Sequence, residues 1–361
     1  MTLFSAQSAR AILFFAAVLV WPHSPAVGAQ SARTELKQEW HAFLEGEGVS
    51  GGVLIIDAPG HVLEVEVGTA DQSTGQAVTL DTRFYLASVG KPMVAAALLS
   101  AHEQGLIQLA DAAKDHLQHL PEASQLDGFK NVTVRQLLNH TSGLAEYLDD
   151  DFMSQSLAKP KHRWTSRQAL TFATPYSKAF PAGTDFAYNN TNYVLLGEML
   201  AGLDGSLPAS LSKRVFGPSK MQSASVGADP KSSNLARGYD QNRDVSHIGW
   251  NSVLGDGAVV ASARDLHLFA RGLFRGGLFG SASLWEMEGT PPGPADNHGL
   301  GIAMDKDETG RYLGHDGSYF GFEAEFRFYP EEDLLLIYAI NGNQETDFDA
   351  LSYFADWYLA N

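Results

Sequence analysis

Two apolar rhythms divide the chain. Leu36, Trp40, Phe43 and Leu44 recur at helical spacing and predict one amphipathic helix over 35–44. Two strands follow, 52–57 and 61–67, joined at Ala58-Pro59-Gly60; in the second, Leu63, Val65 and Val67 alternate with Glu64 and Glu66. From 93 to about 290 the rhythm is helical, punctuated at Gly105, Pro121, Gly143, Pro181-Ala182-Gly183 and Gly217-Pro218. Strands are expected again at 299–304, 322–328 and 334–340, before a last helix over 348–359. The clearest long loop runs from Gly276 to Gly299. This order predicts an α/β fold of the α+β kind. An antiparallel sheet from both chain ends (about 30–87 and 295–361) is flanked by the terminal helices and interrupted by a mainly helical insertion, about 88–294.

Composition bounds the setting. With 361 residues, 44% of them hydrophobic, the chain can fill one large or two moderate cores. Arg10 precedes the apolar run 11–21, and Val27-Gly28-Ala29 has the small residues of a cleavage site, so residues 1–29 read as a secretory signal peptide. The run is about half the ~20 residues a spanning helix needs, and no later segment is apolar enough to span. An exported product without a membrane anchor after cleavage is the expectation; its oligomeric state stays open. Cysteine is absent, which removes disulfides, thiol nucleophiles and thiolate metal sites. A net charge of −17 argues against nucleic acid as a partner. The densest acidic stretch, Asp149-Asp150-Asp151, reads as a solvated loop or as a cleft rim selecting cationic substrates.

Three short stretches carry candidate chemistry. Ser88 and Lys91 stand three apart at a strand-to-helix junction, ahead of good helix formers, and Pro92 fits only near a helix start. A helix N-terminus leaves backbone N–H groups free to meet an oxyanion when Ser88 attacks a carbonyl, with Lys91 as the base. Alone, such a tetrad also fits a capping serine beside a surface lysine. Tyr188-Asn189-Asn190 lies between a glycine turn and an apolar helix; Tyr188 can carry a proton, and Asn190 can serve both Lys91 and a substrate amide. His315-Asp316-Gly317-Ser318 lies near the late strands, where His315 can present a donor or positive group and the Ser318 N–H a second oxyanion donor. His116 and His119 read as a solvated helix face, not a zinc pair.

Taken in order, Ser-x-x-Lys, Tyr-x-Asn and His-x-Gly resemble the serine β-lactamase and penicillin-binding-protein superfamily. The resemblance runs from about residue 35 to the end, and among the branches the chain is similar to class C β-lactamases, secreted DD-peptidases with His-Thr-Gly, and related esterases. Residues 137–144 and 255–262 are similar to stretches that recur there. The resemblance implies Ser88 as acylated nucleophile, Lys91 and Tyr188 as coupled base and proton carrier, and Asn190, His315, Gly317 and Ser318 as substrate-positioning groups. It implies no cofactor and no metal. The implied function is a secreted serine hydrolase acting on a small ester, peptide or β-lactam; the alternative is a penicillin-binding or sensing module that acylates and turns over little. Asp316 stands where relatives carry a hydroxyl. If it faces the cleft it repels carboxylates, which ranks esters first, D-amino-acid peptides second and β-lactams third; if it faces away, that ranking loses its basis.

Overall fold

A computed structural model describes residues 25–289, 297–343 and 349–361. Most of the expected signal peptide, 1–24, lies outside the described residues, as do 290–296 and 344–348, with Phe348 of the expected last helix.

The sheet is antiparallel. Strands β1 (Gly51–Ala58), β2 (His61–Asp71), β3 (Gln76–Ala77), β4 (Ala303–Lys306), β5 (Arg311–Tyr319), β6 (Phe322–Tyr329) and β7 (Leu334–Ile340) lie in the order β3-β2-β1-β7-β6-β5-β4. The chain ends meet where β1 pairs with β7, Val53 opposite Ala339 and Ile55 opposite Ile337. Both faces of the sheet are covered, which is why β1 and β7 are buried along their whole length rather than alternating. Leu54, Ile56, Leu336 and Tyr338 point to one side, against Leu36 and Trp40 of the helix Pro25–Gly46 and Phe354 of the helix Ala350–Ala360. Val53, Ile55, Phe326 and Ile337 point to the other, into the core of the helical insertion.

Three details depart from the pattern-based expectation. The strand expected at 299–304 begins only at Ala303, because Gly299 N–H bonds back to Ile302 O and Gly301 takes a left-handed φ of 74°. The expected long loop contains the helix Ser281–Glu288. The helical insertion is also stitched by a small second sheet: Arg83–Tyr85 pairs with Val259–Ser262, which pairs with Ser225–Val226. Strands this short have too little alternation to read, yet they place the chemistry, since one leads into Ser88 and another follows Asp256.

Candidate active site

Ser88 lies in a tight turn, Ala87–Val89, running directly into the helix Gly90–Glu103. Ala87 adopts φ 47°, in the left-handed region that costs a side-chain-bearing residue about 1–3 kcal/mol. The turn is clamped on two sides. Leu86 N–H donates to Val259 O at 2.9 Å, and Gly257 packs so closely that a Cβ there would lie 3.1 Å from Ala87 O. On the other side a Cβ on Gly317 would come within 2.6 Å of Ser88 N and 2.7 Å of Leu86 O. Glycine at 317 is what lets strand β5 reach the serine backbone.

Lys91 is fully buried. Its Nζ donates three hydrogen bonds, each 2.8 Å, to Ser88 Oγ, Asn190 Oδ1 and the main-chain oxygen of Asp256. All three acceptors are uncharged, and three is the capacity of an ammonium. The same Nζ lies 4.9 Å from the centroid of the Tyr188 ring. Tyr188, 40% exposed, closes one side of a cavity of about 240 Å³ that also contains Ser88, Asn190 and Ser318.

Asn190 opens the helix Asn190–Asp204, whose N-cap is Asn189. Its amide nitrogen, expected to be free for substrate, donates instead to Glu146 Oε2 at 3.1 Å, and its backbone N–H reaches the same oxygen at 2.7 Å. Burial raises the Glu146 carboxyl above its ordinary range, and does the same to Asp256, whose Oδ2 accepts from the Tyr147 hydroxyl at 2.6 Å. Two buried acids thus stand behind Lys91, each occupied by other donors.

Around Tyr188 gather His140, His298 and His315. The His140 ring stacks on Tyr188 at 4.5 Å and 29°, and His298 and His315 both lie 6.1 Å from it. Asn189 N–H donates to His140 Nδ1 at 3.0 Å, so His140 carries its proton on Nε2. His315 Nδ1 sits 2.6 Å from Asp316 O and must donate to that carbonyl, which leaves Nε2 with a lone pair. Burial is the main reason all three resist protonation: His315 is lowered to about 4, His298 to about 3, and His140 well below its usual value. At neutral pH the cleft therefore holds no imidazolium from these residues, and His315 offers an acceptor, not the positive or donor group expected of it.

Asp316 points away from the cleft. His315 and Gly317 share the inner face of β5, whereas Asp316 is exposed on the other face, directly opposite Glu325. Burial first, with help from the Asp316 charge, pushes Glu325 up to about 7. Ser318 lines the cavity, and its hydroxyl accepts from Asn343 Nδ2 at 2.6 Å.

Asp256, Glu146, Tyr147, His140 and His298 were given no role on sequence grounds. A signal existed for three of them: His140 lies in 137–144 and Asp256 in 255–262, and Glu146 follows closely. Among the described residues no cluster of three or more histidine or acidic groups is arranged to hold a metal ion.

The fold thus brings Ser88, the buried Lys91 and Tyr188 together at one cavity. The sequence model of the Beta-lactamase family matches residues 36–359, and the chain belongs to that family. It is 24% identical over 346 residues to penicillin-binding protein 4* of Bacillus subtilis, covering 89% of this chain and 74% of that protein. To the D-aminopeptidase of Brucella anthropi it is 27% identical over 313 residues, 82% of this chain but only 56% of that longer protein. Among solved structures, a D-stereospecific amidohydrolase from Streptomyces superposes with a TM-score of 0.71 at 25% identity, over 86% of this chain and 94% of that one. The chain is a serine hydrolase of the β-lactamase family. No helix among the described residues is long and apolar enough to cross a membrane.

Proposed function

We propose that the protein hydrolyses amide bonds of small D-amino-acid derivatives or peptides through an acyl-enzyme on Ser88. The observation that carries this reading is the triple hydrogen bond of Lys91, which joins the nucleophile, Asn190 and the Asp256 main chain at one buried nitrogen. Ser88 Oγ attacks the carbonyl and its proton passes to Lys91 and Tyr188, which exchange protons as a pair. The oxyanion is met by the N–H groups of Ser88 and Ser318, a role favoured by the contact of Gly317 with the Ser88 backbone. The pair returns the proton to the leaving nitrogen, the C–N bond breaks, and water hydrolyses the ester by the reverse sequence.

The outward Asp316 removes the ground for placing esters first. D-amino-acid chemistry takes that place because two of the similar proteins are named for it. Simple esters and β-lactams remain chemically accessible to the same nucleophile. The leader at 1–29 supports export, which N-terminal sequencing of the protein recovered outside the cytoplasm tests.

The decisive experiment incubates wild type and Ser88→Ala with D- and L-phenylalanine amide, a p-nitrophenyl ester and a penicillin, following intact mass and product. Release of D-phenylalanine, faster than L and lost in Ser88→Ala, is the expected result. A persistent adduct without product would support the slow acyl-binder instead, and no reaction with any probe would overturn the nucleophile assignment.

A further inference from the structure

The rim of the cleft carries the opposite charge from the one Asp149-Asp150-Asp151 suggested. Asp149 is the N-cap of the helix Asp150–Ala158, its side chain accepting from Phe152 N–H at 2.8 Å, and Asp150 and Asp151 fill the first turn, where acids favour the helix dipole. None of the three lines the cavity. The other end of this helix does. Lys159, Pro160, His162 and Trp164 line the same cavity as Ser88, and Lys161 stands close enough to His247 to help keep it neutral, after burial. The helix is about 13 Å long, so the Asp149 charge is more than a Debye length from Lys159.

Lys159 is held in place. It precedes a proline, which restricts its backbone, and Asn251 Nδ2 donates to Pro160 O at 3.3 Å. Its ammonium lies 5.8 Å from the Trp164 ring centroid, and His162 meets the same ring edge-on at 4.5 Å. Neither Lys159 nor Lys161 forms an ion pair among the described residues; the Lys159 side chain has only a 3.4 Å contact with Gln155. Asp256, the one acid lining the cavity among the described residues, is buried and taken by Tyr147. A cation without an ion-pair partner among the described residues is therefore the dominant charge on the wall of the cleft, in a chain whose net charge is −17.

We propose that Lys159, backed by Lys161, selects substrates carrying a carboxylate at a distance from the scissile bond, such as a short peptide with a free C-terminus, over neutral amides. The assignment rests on the acyl-enzyme reading for turnover, and its test is built to separate the two. Three esters are compared in wild type, Lys159→Ala and Lys159→Glu at low and high salt: p-nitrophenyl acetate (neutral), p-nitrophenyl hemisuccinate (carboxylate on the acyl side) and 4-acetoxybenzoate (carboxylate on the leaving group). For at least one anionic probe, kcat/KM relative to the neutral ester falls about fivefold in Lys159→Ala and further in Lys159→Glu, and the gap closes with salt. Unchanged ratios for both anionic probes would overturn the proposal. A parallel titration of Ser88→Ala, with and without Lys159→Ala, by p-nitrophenyl hemisuccinate and by 4-acetoxybenzoate needs no turnover: weaker binding of either by about fivefold supports the role of Lys159, and equal binding of both refutes it. Absence of turnover with every ester would strike the acyl-enzyme reading alone.

Discussion

Two buried basic side chains lie on opposite sides of the same sheet, and they are solvated in opposite ways. Lys91 is surrounded by a hydroxyl, an amide oxygen and a peptide oxygen. Arg327, on the outer side, is surrounded by carboxylates: Glu325 at 2.5 Å, Asp349 at 2.9 Å and Asp307 at 3.1 Å, with the Tyr312 ring 4.4 Å away. Its neighbours hold the Arg327 charge more firmly than usual against the cost of burial. Neutral acceptors satisfy the hydrogens of an amine without fixing its charge, whereas carboxylates fix it permanently. The first arrangement suits a group that passes protons; the second suits a staple.

The contrast can be broken in order of effect. Lys91→Met should lower kcat by at least about a thousandfold, because the serine loses its proton acceptor, while the folded protein persists. Arg327→Met should do the reverse: three carboxylates left facing one another cost about 3–5 kcal/mol of stability, read as a lower midpoint in urea, while kcat of the folded fraction changes little. Comparable losses of both quantities in both variants would erase the distinction.

A smaller effect is expected at the contact between strand and nucleophile. In Gly317→Ala the new methyl meets Ser88 N and Leu86 O, both backbone atoms, so it cannot be accommodated by a side-chain shift. A drop of about a hundredfold in kcat with little change in KM is expected, since a displacement of under 1 Å near the reacting atoms suffices.

Next comes pH. His315 has a folded value lowered from 6.5 to about 4, so the stabilisation from keeping it neutral is present above pH 6.5 and is lost as pH falls toward 4. Glu325, raised from 4.5 to about 7, works the other way, its penalty growing as pH rises across that interval. The difference between wild type and His315→Asn isolates the histidine: stability of wild type should fall more steeply between pH 6.5 and 4, by about 3 kcal/mol over the window. Parallel curves would show that His315 is not held neutral.

The smallest effect belongs to Asp316→Asn. With its side chain outside the cleft, kcat/KM for neutral and anionic substrates should stay within about twofold, and Glu325, relieved of a like charge, should ionise at lower pH. A large gain for anionic substrates alone would place Asp316 in the cleft after all.

Much of this was legible in the sequence because it is local. Three residues of separation at a helix start put Ser88 and Lys91 on one face, whatever else the chain does. Alternation in 322–328 gave a strand with two distinct faces, and chain order placed the helical insertion between early and late strands. The small sheet was not legible, since two to four residues carry no period. Nor were Glu146 and Asp256 as partners of the site, because each meets it across long stretches of chain; Asp256 lies 165 residues from Lys91.

The sequence by itself determined the proximity of Ser88 and Lys91, the strand-forming ends, the helical insertion and the overall negative charge, all of which follow from composition or from neighbours within a few residues. Only the tertiary structure decided the signs and directions that matter for selectivity. Alternation says that His315 and Asp316 point opposite ways, but pairing with β6 decides that His315 is the one facing the cleft. The acids at 149–151 became caps, and the lysine at the far end of their helix became the rim, because packing decides which end of a helix meets a cavity.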